Sequence, residues 1–127
     1  MTAETIHKAV AAYYAALRAM DVEAWVATFA VDGVSQDPVS SPPVVGHAAL
    51  RQLAINMWGA WDNIGLREQQ VFVSGNEAAV KWVGYGRAKN GREAQFEGIG
   101  ILTVNDQGKI QSIRAYWEPA QVMTQIA

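Results

Sequence analysis

The sequence predicts an α+β fold, in which three N-terminal helices pack against a curved antiparallel sheet and enclose a cone-shaped hydrophobic cavity. The hydrophobic period changes once, from helical spacing before Asn63 to alternation after it. The alternating part is divided by turns rich in asparagine and glycine. Helices followed by a meander are typical of α+β proteins, and we expect one domain over residues 1–127.

Three helices are predicted before Asn63. The apolar stripe of the first, over residues 3–19, consists of Ile6, Val10, Tyr13, Leu17 and Met20. The second runs from Val22 to Ala30, with Asp21 as its N-cap because a carboxylate there accepts an otherwise unpaired amide proton. The third begins after Gly46, and its apolar positions are Leu50, Leu53, Ala54, Met57, Trp58 and Trp61.

The strands follow from breakers and alternation. A short strand, Val34-Ser35-Gln36, precedes a loop that begins at Asp37-Pro38. Four further strands are predicted at about 64–74, 77–88, 92–104 and 109–118, joined by hairpin turns that include Asn90-Gly91. A curved sheet wrapped around helices leaves a cavity for a small ligand.

Composition excludes several classes of function. A chain of 127 residues with 50% hydrophobic and 17% charged residues folds, and its net charge of −2 gives no reason to bind nucleic acid. With no cysteine, and His7 and His47 as the only histidines, we expect no metal site built from these ligands. There is no apolar run of about 20 residues and no signal-peptide stretch. We therefore expect no membrane contact and a cytoplasmic location.

Asp37 is the most informative acid of the sequence. It ends a strand, and the prolines after it prevent regular structure. A carboxylate beside an apolar cavity can act as a general base, because burial raises its pKa toward the working pH. The alternative is an Asp-Pro turn, in which the side chain accepts a local amide proton.

Aromatic residues supply the other candidates. Tyr13 lies near the centre of the first helical stripe, so its phenol can donate to an oxyanion in the cavity, whereas Tyr14 lies at the stripe edge and is the weaker candidate. Trp117 ends the last strand, where its indole N–H can hold a carboxylate in place. Each can instead be a core aromatic residue. His47 is expected in an exposed first helical turn.

Together, Tyr13, Asp37-Pro38, Pro42-Pro43, Gly46 and Ala115-Tyr116-Trp117 resemble the bacterial Δ5-3-ketosteroid isomerases. These belong to the superfamily similar to nuclear transport factor 2, which includes the SnoaL-like polyketide cyclases. The resemblance implies that Asp37 moves a proton from the carbon α to a carbonyl to the γ carbon. It also implies that Tyr13 donates to the oxyanion, that Trp117 anchors the carboxylate, and that no cofactor is needed.

The sequence departs from that family at three positions. The second oxyanion donor of the family, a protonated aspartate, falls on Gly100, and two supporting tyrosines fall on Ala54 and Phe29. Glu97 is three residues from Gly100, so alternation points it to the opposite face. Because one missing oxyanion donor costs about 10²–10³ in rate, we expect slow or absent steroid isomerisation and a different ligand.

The resemblance also implies which residues surround the ligand. Phe96, Gly98, Gly100 and Leu102 share the face that lines the cavity, and Lys81 and Tyr85 enter it from the neighbouring strand. The expected substrate-binding residues are Phe29, Ala54, Trp58, Val83, Tyr85, Phe96, Gly98, Gly100, Ile113 and Ala115. Trp82, Ile99 and Ile101 are placed on the outer face, where an apolar patch predicts a homodimer.

The resemblance thus implies a ketosteroid isomerase-like enzyme that abstracts a proton next to the carbonyl of a small hydrophobic compound. Two alternatives remain open: a non-catalytic module that binds a hydrophobic ligand, and a SnoaL-like polyketide cyclase or dehydratase. Chemistry of the limonene-epoxide hydrolase type requires an Asp-Arg-Asp arrangement, which we do not find in the sequence.

Overall fold

A computed structural model describes residues 2–127 as four helices and six strands. The helices are α1 (Ala3–Ala19), α2 (Val22–Ala27), α3 (His47–Trp58) and α4 (Pro119–Ile126). The strands are β1 (Phe29–Gln36), β2 (Val44–Val45), β3 (Trp61–Ser74), β4 (Glu77–Ala88), β5 (Glu93–Val104) and β6 (Ile110–Tyr116). The predicted fold class is confirmed, since N-terminal helices lie against a curved, unclosed sheet.

The sheet has the strand order β2-β1-β6-β5-β4-β3. Strands β3 to β6 form the predicted antiparallel meander. Strand β1 differs from the expectation because it pairs with β6 in parallel, with Gln36 beside Arg114. Its start is fixed by the amide of Ile110, which donates to the carbonyl of Thr28 at 2.9 Å.

The helix boundaries follow local hydrogen bonds. Asp21 caps α2 as predicted and accepts from the amide of Ala24 at 3.0 Å. The helix ends at Ala27 rather than Ala30, because Phe29 joins β1 and pairs with Ile110. The third helix likewise ends at Trp58, and Trp61 opens β3 instead of extending the helix.

Helix α4 was not predicted from the sequence. It begins at Pro119, where the missing amide hydrogen has no helical cost. Val122 is its buried residue and packs with Trp61 and Trp117, and Ile126 joins the same cluster. The C-terminal segment therefore closes one end of the sheet.

The residues of β4 lie on the opposite faces of the sheet from those expected from the sequence. Trp82 pairs with Gly98 and is 2% exposed, so its indole lies on the inner face rather than on the outer face. Paired residues in a sheet share a face, and the register therefore fixes this assignment. Ile99 and Ile101 do lie on the outer face, and the homodimer stays a prediction.

The same register places on the outer face three residues that were expected in the cavity. Val83 pairs with Glu97, and Tyr85 is 42% exposed on the outer face. Lys81 also lies on that face, where its ammonium group is 3.1 Å from the Glu97 carboxylate. The expectation that Val83, Tyr85 and Lys81 enter the cavity is wrong.

Across residues 2–127 no helix has the length and hydropathy that spanning a membrane requires.

Candidate active site

A cavity of about 100 Å³ lies between the helices and the inner face of the sheet. Its aromatic walls are Trp58, Trp61, Trp82, Phe96 and Trp117. Its aliphatic walls are Leu17, Met57, Ile64, Leu66 and Val122. Among the lining residues in the described part of the chain, Asp37 is the one that can carry a charge. The cavity is therefore an apolar pocket with a single carboxylate.

Strand pairing positions Asp37 and Trp117 together. Because β1 runs parallel to β6 with Gln36 beside Arg114, the chain leaves β1 at Asp37 close to the end of β6. The amide of Val39 donates to the carbonyl of Ala115 at 2.9 Å and fixes the chain after Asp37. Trp117 lies two residues beyond Ala115, and its Nε1 donates to Asp37 Oδ1 at 2.5 Å.

Burial decides the acidity of Asp37. The residue retains some exposure because it borders the cavity, although protein surrounds its carboxylate. Burial raises the pKa of Asp37 above its ordinary value, and the hydrogen bond from Trp117 offsets part of that rise. A carboxylate with a raised pKa is a better proton acceptor than an exposed aspartate.

Tyr13 lies on the buried face of α1 and is 2% exposed. Its ring packs edge-on against Tyr14 at 5.0 Å and Phe29 at 5.9 Å between centroids. Burial raises the pKa of Tyr13 well above its ordinary value, and the negative charge of Asp37 adds to the rise. The phenol therefore keeps its proton and remains a hydrogen-bond donor.

The Trp25 indole faces the Tyr13 phenol. It lies near enough to lower the pKa of Tyr13 slightly against the larger effect of burial. The geometry is nevertheless not that of a hydrogen bond, and Trp25 Nε1 has no partner within residues 2–127. The Tyr13 hydroxyl oxygen therefore accepts no hydrogen bond from the Trp25 indole.

The structure divides the other expected binding residues into two groups. Trp58 and Phe96 line the cavity. The remaining residues surround it without lining it: Phe29, Ala54 and Ile113 in the core, and Gly98, Gly100 and Ala115 on the inner face of the sheet. Phe29 packs against Tyr13 and Trp25, so its contribution is to position the tyrosine.

The cavity walls also include Trp82, Trp61 and Val122, which were not predicted from the sequence. For Trp82 the inner face follows from its pairing with Gly98, which alternation within β4 does not supply. Pro119 with Val122 and Ile126 at helical spacing was the available signal for α4.

Tyr14 is also more deeply buried than its place at the edge of the helical stripe indicated. It is 1% exposed, and its hydroxyl lies over Gly100 on the inner face of β5. A Cβ at position 100 would stand 2.7 Å from the Tyr14 hydroxyl oxygen. The phenol therefore occupies the space that a side chain at position 100 would take.

His47 lies in the first turn of α3, where its Nε2 is 2.9 Å from the carbonyl oxygen of Phe29. It contacts backbone, is partly buried rather than exposed, and does not line the cavity.

Comparison with known proteins agrees with this architecture. The chain matches the SnoaL-like domain over residues 10–113. A similar solved structure is that of the epoxide hydrolase/cyclase-like enzyme SalBIII, described for its role in pyran ring formation in the polyether salinomycin. It is 22% identical with a TM-score of 0.83, covering 93% of this chain and 94% of that chain, and this likeness shows the fold. The chain belongs to the SnoaL-like family of the superfamily related to nuclear transport factor 2.

Proposed function

We propose that the protein is an enzyme that abstracts a proton from the carbon next to the carbonyl of a small hydrophobic substrate. Asp37 is the general base and Tyr13 donates a hydrogen bond to the substrate oxygen. The observation that carries the proposal is the single carboxylate in an apolar cavity, held by Trp117 Nε1 at 2.5 Å. The second observation is the neutral Tyr13 phenol, whose pKa is raised by burial and by the negative charge of Asp37.

The chemistry proceeds in two proton transfers. The Asp37 carboxylate takes a proton from the α carbon, and the electron pair of the broken C–H bond moves toward the carbonyl oxygen to form an enolate. The Tyr13 phenol stabilises the oxygen as its charge develops. If the substrate has a β,γ double bond, protonated Asp37 then returns the proton to the γ carbon and yields the conjugated enone.

Trp117 positions the base in this scheme. Its indole N–H engages Asp37 Oδ1 and leaves Oδ2 for the substrate. One fixed oxygen restricts rotation of the carboxylate, which reduces the entropy lost when the base and the α carbon meet.

The cavity supports a compact substrate. Its volume of about 100 Å³ is below the roughly 300–1,000 Å³ typical of sites for drug-sized ligands. Its walls offer aromatic faces and aliphatic groups rather than polar partners. We therefore assign it a flat compound of one or two rings with one carbonyl group, and not a steroid.

Isomerisation of 3-cyclohexen-1-one to 2-cyclohexen-1-one, followed by the absorbance of the conjugated enone, tests the proposal. Asp37→Asn should lower kcat about 10²–10⁴-fold, because the amide cannot accept the proton. Glu97→Gln, on the outer face, is the matched control and should leave the rate unchanged. An Asp37→Asn protein with the wild-type rate would show that the base is elsewhere.

A SnoaL-like cyclase or dehydratase is the second candidate, favoured by the family and by the cyclase-like neighbour SalBIII. In that reaction Asp37 would act on a polyketide-type carbonyl or epoxide substrate. Conversion of such a substrate that depends on Asp37, without isomerisation of 3-cyclohexen-1-one, would select this function. Epoxide opening by two acids has less support, since Asp37 is the single acid lining the cavity in residues 2–127.

The third alternative is a module that binds a hydrophobic ligand without converting it. Binding of 2-cyclohexen-1-one that is independent of pH and equal in the wild-type and Asp37→Asn proteins, with no turnover, would select it. The raised pKa of Asp37 speaks against this alternative, because burying an ionisable group that serves no reaction destabilises the fold.

A further inference from the structure

We propose that the cavity binds a compact alkylammonium ion, whose positive charge lies beside Asp37 and whose methyl groups contact the aromatic walls. The class of ligand is a quaternary or tertiary ammonium ion, for which aromatic rings and one carboxylate form a suitable site. The inference goes beyond the proposed function, because it requires the negative charge of Asp37 but no proton transfer.

Asp37 lacks a positively charged partner in the part of the chain that the structure describes. It takes part in none of the ion pairs of residues 2–127, and no lysine, arginine or histidine of this range lines the cavity. Its hydrogen bond comes from a neutral donor, Trp117 Nε1, which engages Oδ1. Because buried charges in proteins are normally paired, a cation is favoured here over a neutral molecule of the same shape.

Burial strengthens that preference. Protein surrounds the Asp37 carboxylate, and this burial raises its pKa because little water stabilises the charge. The same shortage of water reduces the screening between the carboxylate and a bound cation. A positive charge in the cavity therefore stabilises the ionised form of Asp37, which burial alone disfavours.

Aromatic rings form the walls that contact the methyl groups. Three of these rings lie over glycines of the inner sheet face, where a side chain would otherwise stand: Phe96 over Gly84, Trp61 over Gly86 and Trp82 over Gly98. Each of the three aromatic residues also lines the cavity, so its ring borders both the sheet and the ligand space. The faces of aromatic rings carry negative potential, which attracts a cation.

The rings lie in different planes around the cavity. Trp82 and Phe96 meet at 84° with their centroids 5.9 Å apart, and Phe96 and Trp117 meet at 40° with their centroids 6.2 Å apart. A nitrogen with methyl groups in several directions can contact walls that are set at such angles. The cavity volume of about 100 Å³ restricts the ligand to a compact ion.

The chemistry of the walls favours alkylated ammonium ions over other cations. A calcium or magnesium ion requires several oxygen ligands, and Asp37 is the one charged group among the lining residues of the described chain. A primary ammonium group has three N–H donors, each of which needs an acceptor when it is buried. Methylation removes these donors and adds apolar surface that packs against the rings.

Isothermal titration calorimetry with three probes at constant ionic strength tests the inference on the wild-type protein. Tetramethylammonium has both the charge and the methyl groups. The probe tert-butanol has a similar shape without the charge, and ammonium has the charge without the methyl groups. Tetramethylammonium should bind at least about 10-fold more tightly than either of the other probes. A smaller difference, or no binding of tetramethylammonium, would overturn the inference.

Variants identify the groups that hold the cation. Asp37→Asn should weaken binding of tetramethylammonium about 10-fold or more, because the amide carries no charge. Glu97→Gln, on the outer face, is the matched control and should leave the affinity unchanged. Trp61→Leu should weaken binding about 3- to 30-fold, and Trp61→Phe should restore part of the loss because it keeps an aromatic ring.

Wild-type affinity for tetramethylammonium in either Asp37→Asn or Trp61→Leu would contradict the inference. The comparison of the three probes uses the wild-type protein, so it decides the question even where a variant does not fold. Failure of the base proposal would appear separately, as wild-type turnover of 3-cyclohexen-1-one by Asp37→Asn, which the calorimetry does not measure.

Discussion

Two opposing effects act on the charged form of Asp37. Burial disfavours the carboxylate, and the Trp117 indole stabilises it through one short hydrogen bond. The balance leaves a raised pKa, which suits a base that must take a weakly acidic C–H proton and later return it. Burial therefore sets the acidity of Asp37, and the hydrogen bond from Trp117 fixes the orientation of its carboxylate.

Trp117→Phe should move the acid limb of the kcat/KM profile to higher pH. Without the indole N–H, the Asp37 carboxylate loses the hydrogen bond that lowers its pKa, so the base becomes protonated at a higher pH. The profile is measured with 3-cyclohexen-1-one. Trp58→Phe, which removes an indole that lines the cavity without bonding to Asp37, is the control. A limb at the wild-type pH would contradict this assignment.

Asp37→Asn should make the protein more stable at pH 7. The folded pKa of Asp37 lies above its ordinary value of 3.8, so the folded state binds more protons than the unfolded chain between those two pKa values. Stability is therefore lost as pH rises through this window, and the loss is complete above the folded pKa. Urea unfolding of both proteins should show a difference that disappears below about pH 3.8. A less stable Asp37→Asn protein at pH 7 would oppose this prediction.

Some residues of the candidate site were predictable from the sequence and others were not. Asp37 and Trp117 were identifiable because each ends a strand beside a breaker, a local property. Tyr14 was ranked below Tyr13 from its wheel angle, yet it is equally buried. The place of its hydroxyl depends on Gly100, which is distant in sequence and meets it through packing of α1 against β5. A helical wheel does not carry that information.

At the scale of elements, glycines on the inner face let aromatic rings approach the sheet. Gly84 pairs with Phe96, whose ring covers the place of a Cβ at position 84. Gly98 is covered by the Trp82 ring in the same way. These contacts hold the rings of Phe96 and Trp82, two walls of the cavity, close to the strands. The space between these rings and the helices therefore stays open.

Gly84→Ala should lower the free energy of unfolding by about 1–3 kcal/mol, the usual cost of adding a methyl group to a packed site. The added Cβ overlaps the Phe96 ring, which must move toward the cavity. Urea unfolding measures the effect. Val83→Thr, the neighbouring change on the outer face, should stay within about 0.5 kcal/mol. Similar losses in both variants would contradict the described packing.

Element boundaries that depend on neighbouring residues were predicted correctly. Boundaries that depend on residues distant in the sequence were missed. The Asp21 cap and the hairpin turns of the meander depend on neighbouring residues and were found. The end of α2 depends instead on the pairing of Phe29 with Ile110, and the face of Trp82 depends on its register with Gly98. Both are decided between strands, so periodicity within one segment does not determine them.

At the scale of the whole molecule, the cavity should select its substrate by size. We expect turnover of 3-cyclohexen-1-one and at least 10-fold lower kcat/KM for 5-androstene-3,17-dione, because a cavity of about 100 Å³ is too small for four fused rings. Both assays follow the conjugated enone. A higher kcat/KM for the steroid would show that the cavity enlarges and that the small-substrate assignment is wrong.

The fold class was predictable because one change of hydrophobic period separates the helices from the meander. The size of the cavity was not, since it depends on where Trp61 and Trp82 place their rings and on Val122 in the unpredicted α4. The resemblance implied that Gly98 and Gly100 line the cavity. Instead, the Trp82 ring and the Tyr14 phenol occupy the space beside those glycines.

The most direct test of the central claim is deuterium exchange into cyclohexanone in D₂O, measured by NMR at the carbons next to the carbonyl. This reads proton abstraction itself, without requiring a double bond or a particular product. We expect catalysed exchange by the wild-type protein and a loss of about 10²–10⁴-fold in the Asp37→Asn protein. Exchange by wild-type protein no faster than buffer, or equal exchange by both proteins, would contradict it.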